Sequence, residues 1–588
     1  MEAMNSGISR RAFLGGVSAA GALAALGLAG CAQPKSATEK QAVATSSKGA
    51  GSAQVSMNVY EIPAWAGTDP DVGSIASTKK TDLLIIGAGN GGMAAAAYAS
   101  DQGVDFIICE KGAEVGATRH WFAAVDTPPF TSQGITVDKA RLRGEIARYS
   151  SGTCCMPLIN MWINESADMF EFVNGIMTAS GAQVIADEYE MPGGMGSTSF
   201  YTPPFEHHYA DANGDRKGIE ERNKLFEKHI QQAGHEVSYN HRLVKLLGSA
   251  KDGITGAVFE TSDGYVQIDA RKGVLLATGG YAANPEMVTA LSPITAKSVT
   301  ALGYNQNNEG EGIQAAVRAG AVKDLTSATM IFDRGLVAPG TEAGYTADSI
   351  AAGKPVFPGN GQFNPGTQPF LKMNLRGERF ADESADYDYL PHAAAQQPGG
   401  VYVSVWDGNF GDDVQRFHTL GCSAGTRMGV LAFKKDDGSY DLDGFFEKYL
   451  SDGRLQKADT LEELADKLGY KDEAKKTFLA TIARYNELYD AQDDTDFGKE
   501  AYRLSAIRQA PFYGATLGGT LLTTIDGIRI DEHCRALDAD ANPIKGLYCA
   551  GDCSGSVFSG NYPDQLHGFA CGRTMTEALH VVKEIVAL

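Results

Sequence analysis

Three glycines at a fixed spacing, Gly87, Gly89 and Gly92, are the first residues of the chain whose types and positions suggest chemistry. In such a pattern the first glycine permits a tight turn, the second lets the backbone approach a pyrophosphate, and the third lets a helix pack closely on a strand. Glu110 follows the next apolar run, where an acid accepts hydrogen bonds from ribose hydroxyls. These residues predict a dinucleotide-binding site; the alternative is an ordinary turn with an acid nearby by chance.

The sequence around these residues predicts the strands and the helix that position them. Residues 83–86 are consecutive apolar residues, which predicts a buried parallel strand, and the alanine-rich run after Gly92 predicts a helix. Residues 105–109 predict a second strand that ends at Glu110. The N-terminus of the helix between the strands offers unpaired N–H groups and the positive end of its dipole to phosphates.

Two later segments repeat the design of an apolar strand that runs into glycine. One continues into Thr278 and the other into Asp552, whose carboxylate is placed to bond a ribityl chain or to lie beside the pyrophosphate. A nicotinamide dehydrogenase does not need these two segments, so the three together indicate FAD. Small residues after Glu110 would let the chain pass close to a flat ring. The predicted cofactor contacts are Gly87, Gly89, Gly92, Glu110, Lys111, Gly116, Thr118, Ala277, Thr278, Gly279, Gly280, Gly551 and Asp552.

The length, net charge and cysteine content of the chain argue against several classes of function. At 588 residues the chain has room for roughly two to four domains of about 150 residues. A net charge of −21 without a run rich in lysine or arginine argues against a nucleic-acid partner, because phosphate binding is mainly a cationic effect. Nine cysteines are too sparse for a disulfide scaffold, and no Cys-x-x-Cys-His motif is present to attach a c-type haem. No metal site is predicted, since His207 and His208 lack spaced carboxylate or cysteine partners.

The first residues predict an export signal. Arg10 and Arg11 form a twin-arginine pattern, and an Ala/Gly/Leu-rich run follows it. The run ends in Leu-Ala-Gly before Cys31, which resembles a bacterial lipobox and implies cleavage before Cys31 and lipidation of its thiol. A plain signal that happens to contain cysteine is the alternative. With residues 1–31 as signal and 32–78 as linker, the mature protein is expected outside the cytoplasmic membrane, held by a lipid anchor.

Four motifs spread along the chain carry a family resemblance: Ala-Thr-Gly-Gly at 277–280, Glu-Gly-Glu-Gly at 309–312, Arg-Gly-Glu-Arg-Phe at 376–380 and Arg-Tyr-Asn-Glu at 484–487. They resemble the fumarate reductase/succinate dehydrogenase flavoprotein superfamily over about residues 79–588. The resemblance implies an α/β fold with a Rossmann-like FAD-binding domain in two segments. These would be residues 79–334 and 506–588, with an inserted α+β capping domain over residues 335–505.

Three positions depart from that family's pattern. The resemblance puts a proton-donating arginine where this chain has Tyr387, a substrate-binding histidine at Leu522, and another arginine at Tyr562. Burying a dicarboxylate without paired cations is very costly. Fumarate, succinate or another small dicarboxylate is therefore not the expected substrate, although a fumarate reductase-like carboxylate reductase stays an alternative.

Tyr387 and Tyr562 themselves resemble the 3-ketosteroid dehydrogenase branch of the superfamily. The resemblance implies that one tyrosine moves a proton at carbon and the other donates a hydrogen bond to a carbonyl. That branch also uses a backbone N–H, but the sequence after Tyr562 differs here, so Gln565 or His567 is a candidate to replace it, with a surface or packing role as the alternative. The alternative for the two tyrosines is aromatic packing in the cap interface.

Three further residues are candidates for the substrate pocket. Leu522 would form an apolar wall, and Tyr201 could line the pocket or lie in the core or a loop. Arg427 could bind an anion if the substrate carries one carboxylate, as an aryl acrylate does; a surface position is its alternative.

The expected function is that of an FAD-dependent reductase of a C=C bond conjugated to a carbonyl, in a largely apolar, enone-type substrate. Outside the membrane such an enzyme would take electrons from a separate quinol- or cytochrome-linked donor and use the substrate as terminal acceptor, as in anaerobic respiration. One alternative is a ketosteroid-type dehydrogenase that passes electrons to quinone. Another, of a different class, is a flavin electron-transfer or binding lipoprotein without turnover.

Overall fold

The computed structural model describes residues 61–187, 201–303, 307–357, 359, 362–385, 387–419, 423–563 and 565–588. The predicted signal, including Cys31, and the linker up to residue 60 lie outside the described residues. None of the helices in the described part of the chain has the length and apolar character needed to cross a membrane.

The larger sheet is built around the first strand, Ile75–Ile86. Its residues 83–86 are buried, which is why the sequence shows a continuous apolar run there instead of alternation. The strand pairs in parallel with Phe106–Cys109 and with Gly264–Leu276, and Pro543–Cys549 lies parallel beside the latter. The other strands of this sheet are Arg535–Leu537, Val237–Ser238, Arg242–Ser249 and Gly253–Thr261.

Two helices cover the glycine turn of this sheet. The first helix, Asn90–Asp101, buries only glycine, alanine and methionine side chains, which lets it lie close to the strands. The closing helix, Phe569–Ala587, packs against the first helix and against Met156–Ala179. The other helices along residues 79–334 are Pro128–Thr131, Lys139–Tyr149, Arg222–Gln232, Pro285–Leu291, Pro293–Ser298 and Glu311–Arg318.

The second sheet is organised by the strand Phe512–Thr524, every residue of which is buried. Its partners come from the predicted segments 79–334 and 335–505, while the strand itself belongs to the predicted segment 506–588. The predicted domain boundaries therefore separate strands that belong to one sheet. The boundaries themselves stay a prediction. The partner strands are Val299–Leu302, Thr329–Val337, Tyr402–Trp406 and Leu455–Ala458, and Leu371–Met373 extends the sheet.

Two consecutive helices lie in the C-terminal part of residues 335–505. The helices are Leu461–Lys467 and Asp472–Ala491, and Thr460 Oγ1 accepts a hydrogen bond from the N–H of Glu463 at 3.1 Å, as the capping pattern predicts. The remaining helices of residues 335–505 are Ala347–Ala352, Tyr389–Ala394, Phe410–Arg416, Ala424–Leu431 and Leu442–Ser451. A small sheet elsewhere joins Phe122–Ala123, Gln183–Asp187 and Glu206–Ala210.

Packed residues already lie within the segment predicted as linker. Residues Ala64–Ala66 form a short 3-10 turn in which Ala66 is fully buried. Gln314 Nε2 donates to the carbonyl oxygen of Trp65 at 2.8 Å, and Arg318 Nη1 donates to that of Ala66 at 2.8 Å. The boundary at residue 78 itself stays a prediction.

Candidate active site

The glycine turn has the close contacts that its sequence pattern requires. Gly87 has a φ of 102°, and a Cβ built there would lie 2.4 Å from the carbonyl oxygen of Ala277. A Cβ on Gly92 would lie 1.8 Å from the carbonyl oxygen of Gly87. A Cβ on Gly89 would meet no protein atom within 4 Å, so the backbone there faces open space beside the first helix. The fold itself requires Gly87 and Gly92, whereas Gly89 keeps room for a ligand that approaches the backbone.

A buried cation that sequence reasoning missed lies at the same helix N-terminus. Arg222 is 2% exposed, and its Nη2 donates to Asn90 Oδ1 at 2.8 Å and to the carbonyl oxygen of Arg119 at 2.7 Å. Its Nε is buried and has no hydrogen-bond partner among the described residues. A guanidinium beside a helix N-terminus favours an anion such as a pyrophosphate. Arg222 follows Glu220 and Glu221 in sequence, a run typical of a solvated surface, so no local signal marked it.

Glu110 lies directly after the strand Phe106–Cys109, as predicted. Its Oε2 accepts a hydrogen bond from the N–H of Ala88 at 2.8 Å, and its Oε1 accepts one from the N–H of Gly112 at 2.8 Å. Each carboxylate oxygen has a second lone pair, which a ribose hydroxyl could use. The carboxylate is therefore held rigidly at the place where the pattern requires it.

The segment after Glu110 lies against the glycine turn. The N–H of Gly116 donates to the carbonyl oxygen of Ala88 at 2.9 Å. Thr118 Oγ1 accepts from the N–H of Asn223 at 3.1 Å, and Asn223 Nδ2 donates to the carbonyl oxygen of Gly116 at 2.8 Å. Two of the predicted cofactor contacts in this segment are thus held beside the turn.

Lys111 is the predicted contact whose charge is already paired within the protein. Its Nζ lies 2.6 Å from Glu311 Oε1 and 3.3 Å from Glu309 Oε2. Arg242 Nη2 reaches the same Glu309 at 2.7 Å. A role for Lys111 at the cofactor stays a prediction, and its ion pairs tie the cofactor segment to the helix Glu311–Arg318.

Three parallel strands bring the three glycine segments to one edge of the larger sheet. Ala277–Gly280 and Gly551 therefore begin at the level of the glycine turn, and Asp552 Oδ2 accepts a hydrogen bond from Thr523 Oγ1 at 2.9 Å. The N–H groups, Arg222, Glu110 and Asp552 fit the phosphates, ribose and ribityl chain of FAD. The last residues of the three strands pair in register, and these are Ile86, Leu276 and Cys549.

The two candidate catalytic tyrosines are joined through one carboxylate. The backbone N–H of Tyr562 donates to Asp388 Oδ2 at 3.1 Å, and Asp388 directly follows Tyr387 in the chain. Asp388 is 1% exposed, and both tyrosines pack in the same hydrophobic cluster. The structure therefore brings together two residues that lie far apart in the sequence.

Tyr387 has a polar contact at its oxygen and an apolar contact at its ring. The hydroxyl oxygen accepts hydrogen bonds from Ser423 Oγ at 2.8 Å and from the N–H of Ser423 at 3.2 Å. The ring meets Phe332 edge to face, with 4.5 Å between the centroids. Ser423 was not predicted, because only the fold places it opposite Tyr387.

Arg334 is a second buried cation that sequence reasoning missed. Its guanidinium carbon lies 4.6 Å from the ring centroid of Phe332 and 5.5 Å from that of Tyr387. It is 2% exposed; Nη1 donates to Gln362 Oε1 at 3.0 Å, while Nε and Nη2 are buried without a partner among the described residues. The signal was available, because a charged residue within the buried strand Thr329–Val337 is costly and calls for a specific role.

A buried ion pair stands next to Arg334. Asp333 Oδ2 lies 3.3 Å from Lys372 Nζ, and both side chains are almost fully buried. Burial raises the pKa of Asp333 above its ordinary value, although Lys372 and Arg334 oppose the shift. The pair leaves Arg334 as the cation that directly faces the ring of Tyr387.

Tyr562 and the two residues proposed to help it are all buried. The hydroxyl oxygen of Tyr562 lies 3.5 Å from the N–H of Ala570, in the first turn of the closing helix. Gln565 Oε1 accepts from the hydroxyl of Tyr149 at 2.8 Å, and Gln565 Nε2 is buried without a partner among the described residues. Burial lowers the pKa of His567 to about 3, so its ring is neutral at pH 7. A surface role for Gln565 or His567 is therefore wrong.

Leu522 and Arg427 take different positions around the tyrosine cluster. Leu522 is 7% exposed and belongs to the same cluster, where its Cδ2 would lie 2.4 Å from a Cβ on Gly303. Arg427 is half-buried on the helix Ala424–Leu431, four residues after Ser423. Residues four apart lie on one helix face, so Arg427 is one turn away from the residue that contacts Tyr387.

The side chain of Tyr201 contacts residues other than the tyrosine pair. Its hydroxyl oxygen accepts from the N–H of Asp138 at 2.8 Å, and the guanidinium carbon of Arg141 lies 4.8 Å from its ring centroid. These residues begin the helix Lys139–Tyr149, whose last residue, Tyr149, is the one that reaches Gln565. An 11-residue helix is about 16 Å long, so Tyr201 lies at the end remote from that contact.

The chain is similar in sequence to several known proteins. A family model described as an FAD binding domain matches residues 82–565. The vinyl phenol reductase of Lactiplantibacillus plantarum is 24% identical over 515 residues, which cover 84% of this chain and 95% of that protein. A 3-oxosteroid 1-dehydrogenase of Mycobacterium tuberculosis is 28% identical over 389 residues, which cover 60% of this chain and 61% of that protein.

The fold is also that of a solved flavoenzyme. The 3-ketosteroid Δ1-dehydrogenase of Sterolibacterium denitrificans aligns with a TM-score of 0.65 at 18% identity, covering 87% of this chain and 100% of that chain. The predicted family resemblance, the α/β fold with FAD and the assignment as an enzyme are thereby confirmed. The chain belongs to the FAD binding domain family of fumarate reductase/succinate dehydrogenase flavoproteins and is an FAD-dependent oxidoreductase.

Proposed function

We propose that the protein reduces a carbon–carbon double bond conjugated to a carbonyl, in a substrate that is largely apolar around that group. The observation that carries the proposal is the tyrosine pair, which Asp388 joins within one apolar cluster. The oxygen of Tyr387 receives the N–H of Ser423, and that of Tyr562 lies beside a backbone N–H. Two phenols in one cluster can supply a proton donor and a hydrogen bond for the carbonyl, which are the two groups that reduction of an enone needs.

Tyr387 is the proposed proton donor to the substrate carbon. When a phenol gives up its proton the negative charge lies on its oxygen, and the N–H of Ser423 already points at that atom at 3.2 Å. Ser423 Oγ lies 2.8 Å from the same oxygen and 2.8 Å from Thr367 Oγ1, so its single proton can turn to either. The buried guanidinium of Arg334 adds a positive charge 5.5 Å from the ring centroid. Both interactions stabilise the charged form and so make the phenol a stronger acid. FAD, when bound and reduced by the separate electron donor, would supply the hydride for the other carbon of the double bond.

Tyr562 is the proposed hydrogen-bond donor to the substrate carbonyl. Its oxygen lies beside the N–H of Ala570, at the positive end of the closing helix. A hydrogen bond accepted by a hydroxyl oxygen strengthens the one that the same hydroxyl donates. The arrangement thus stabilises an enolate oxygen as it develops, in the manner of an oxyanion hole.

A small dicarboxylate fits this site poorly. Two carboxylates need two paired cations, because burying an unpaired charge is costly. Leu522 and Tyr562 stand where the family resemblance puts a histidine and an arginine, and Arg334 is packed against two rings. The reverse reaction, dehydrogenation beside a ketone with Tyr387 as base, is the second candidate, and a 3-oxosteroid 1-dehydrogenase among the relatives favours it.

The test is a substrate screen under anoxia. Reduced protein is mixed with cyclic enones, cinnamates, urocanate and fumarate, and the reoxidation of the flavin and the saturated product are measured. We expect fast reoxidation by an enone or another conjugated carbonyl compound. Tyr387→Phe should slow it about a hundredfold or more at unchanged flavin content, because general acid catalysis contributes at least about that factor.

The matched control is Tyr470→Phe. Tyr470 is also a buried tyrosine, but its hydroxyl donates to the carbonyl oxygen of Asn374 in the cap, at 2.8 Å. This variant should keep the wild-type rate. Rapid reoxidation by fumarate alone, or wild-type turnover by Tyr387→Phe, would contradict the proposal.

We also propose that the mature protein is exported by the twin-arginine route and anchored through a lipid on Cys31, at the outer face of the cytoplasmic membrane. A separate quinol- or cytochrome-linked protein would supply its electrons there. The support is the sequence: Arg10 and Arg11, the apolar run, and Leu-Ala-Gly before Cys31.

Cell fractionation tests this location. Replacing Arg10 and Arg11 by lysine should leave the protein in the cytoplasm, and Cys31→Ala should release it from the membrane fraction. The proposal is wrong if both variants fractionate as the wild-type protein does.

A further inference from the structure

We propose that His533, His580 and Glu584 form a binding site for a transition-metal dication such as Zn²⁺, separate from the tyrosine pair. One ligand atom from each residue lies within 4.8 Å of the other two. His580 and Glu584 are on the closing helix, whose first turn contacts Tyr562 through Ala570. His580 follows Ala570 by ten residues, which corresponds to about 15 Å of helix, so the site is remote from the proposed chemistry.

The distances between the ligand atoms suit a tetrahedral ion. Zinc bonds to nitrogen and oxygen of about 2.0–2.1 Å place tetrahedral ligand atoms about 3.4 Å apart. His533 Nδ1 lies 3.0 Å from Glu584 Oε1, and His580 Nε2 lies 3.7 Å from the same oxygen. Two imidazoles and one carboxylate are a ligand set that zinc and its neighbours accept, whereas magnesium and calcium prefer oxygen alone.

His580 is oriented from behind by a carboxylate. Its Nδ1 lies 2.9 Å from Glu165 Oε1, while Lys583 Nζ donates to Glu165 Oε2 at 2.9 Å. When a histidine gives its Nδ1–H to a carboxylate, it presents the lone pair of Nε2, and metal-binding histidines are commonly oriented in this way. Here Nε2 is buried and has no hydrogen-bond partner among the described residues. The same nitrogen lies 3.7 Å from Glu584 Oε1, so its lone pair is directed towards the other ligand atoms and is available to an ion.

The backbone around the site is firmly held. Glu584 follows His580 by four residues, so both side chains lie on one face of the closing helix. His533 lies in a tight turn in which its N–H donates to Asp531 Oδ1 at 3.0 Å. The side chains of His533 and Glu584 are 41% and 33% exposed, so solvent can deliver the ion and supply its fourth ligand.

The proposed ion is structural. It would join the closing helix to the turn that holds His533 and, through Glu165, would fix the contact with the helix Met156–Ala179. The closing helix packs against the first helix, which begins at the glycine turn. Metal binding should therefore stabilise the part of the protein that holds FAD, because a ligand that binds only the folded state raises its stability.

The experiment uses untagged, FAD-loaded protein that has been stripped with a chelator. Calorimetric titration with Zn²⁺ should show one saturable site, and the thermal unfolding midpoint should rise with added Zn²⁺. His533→Gln and His580→Gln should each abolish this binding. Glu165→Gln should weaken it by about 10- to 100-fold, the usual effect of removing a group that orients a ligand. The matched control is His229→Gln, because His229 pairs with Asp101 at 2.6 Å on the surface; it should bind Zn²⁺ as the wild type does.

The spectrum of bound Co²⁺ provides a second readout that does not depend on any variant. Intense visible bands without thiolate charge transfer indicate tetrahedral nitrogen and oxygen ligands and support the site, even if a variant fails to fold. Thiolate charge transfer would assign the ion to cysteines and overturn the proposal. Absence of binding by the wild type, or binding that persists when His533 and His580 are both replaced, would overturn it as well.

Discussion

Removing the positive charge of Arg334 should slow the proton step at Tyr387. The guanidinium carbon lies 5.5 Å from the ring centroid of Tyr387. The charge is then roughly 6 Å from the phenol oxygen, where two unit charges interact by about 3 kcal/mol at an effective dielectric constant of about 20. Only part of the phenolate charge exists in the transition state, and Asp333 offsets part of the field. Taking half of the interaction leaves about 1.4 kcal/mol, which is about tenfold in rate.

The assay is anaerobic stopped-flow reoxidation of reduced protein by the best substrate of the screen. Arg334→Met should lower the rate constant about tenfold at unchanged flavin content, and Arg334→Lys should recover most of the loss because it keeps the charge. The solvent deuterium isotope effect should rise in Arg334→Met, since proton transfer then limits the rate more. Thermal unfolding of each variant separates this effect from a loss of folded protein.

A double-mutant cycle decides whether Arg334 acts through Tyr387. If it does, Arg334→Met should cost nothing further in the Tyr387→Phe background, because the group that it serves is gone. The same tenfold loss in both backgrounds would refute the reasoning. So would a loss in Arg334→Met that is fully explained by missing flavin.

Three further sets of contacts lead to testable predictions. Gly92→Ala should not fold, because its Cβ would lie 1.8 Å from a carbonyl oxygen. Gly89→Ala should fold, and the thermal unfolding midpoint of its apoprotein should equal that of the wild type, but it should lose flavin during gel filtration. Burial disfavours the charge on Asp494, yet hydrogen bonds from Arg379 hold its pKa at about 2, below the ordinary 3.8. Its contribution to the free energy of unfolding is therefore present above about pH 4 and lost as the pH falls through about 2. In Asp494→Asn the free energy of unfolding, measured with urea, should depend less on pH between about 2 and 4. The same pH dependence as in the wild type would contradict this. Tyr562→Phe should lower kcat more than it raises KM, because its hydrogen bond strengthens as the enolate forms; an effect on KM alone would count against that role.

The glycine turn could be predicted from the sequence because its determinants are local. Gly87 and Gly92 contact each other across one turn, and Glu110 follows the next strand along the chain. The apolar run before Gly87 specifies a buried strand whatever the rest of the chain does. The strand, the turn, the helix and the acid are therefore recoverable from about thirty residues.

The two buried arginines could not be assigned in the same way. Arg222 reaches Asn90, 132 residues away, and its own neighbours in sequence look like a solvated surface. Arg334 faces Tyr387 only because the strand Thr329–Val337 and the segment that carries Tyr387 are packed together. Residue type predicts that a buried charge needs a partner, but only the fold says which partner it has. Tyr201 is the converse case: an aromatic residue whose contacts lie with Asp138 and Arg141.

The link between Tyr387 and Tyr562 bears on how the substrate is recognised. In a conjugated carbonyl compound, the carbon that accepts the proton is bonded to the carbonyl carbon, so the proton donor and the carbonyl donor must keep a fixed separation. Asp388 ties the two segments together, because it is covalently next to Tyr387 and accepts the backbone N–H of Tyr562. Positioning of this kind is a large part of what an enzyme contributes to a two-point reaction. In the proposed reaction the tyrosine pair would bind the enone unit itself, and the apolar residues around it, such as Leu522 and Phe332, would select the rest of the molecule.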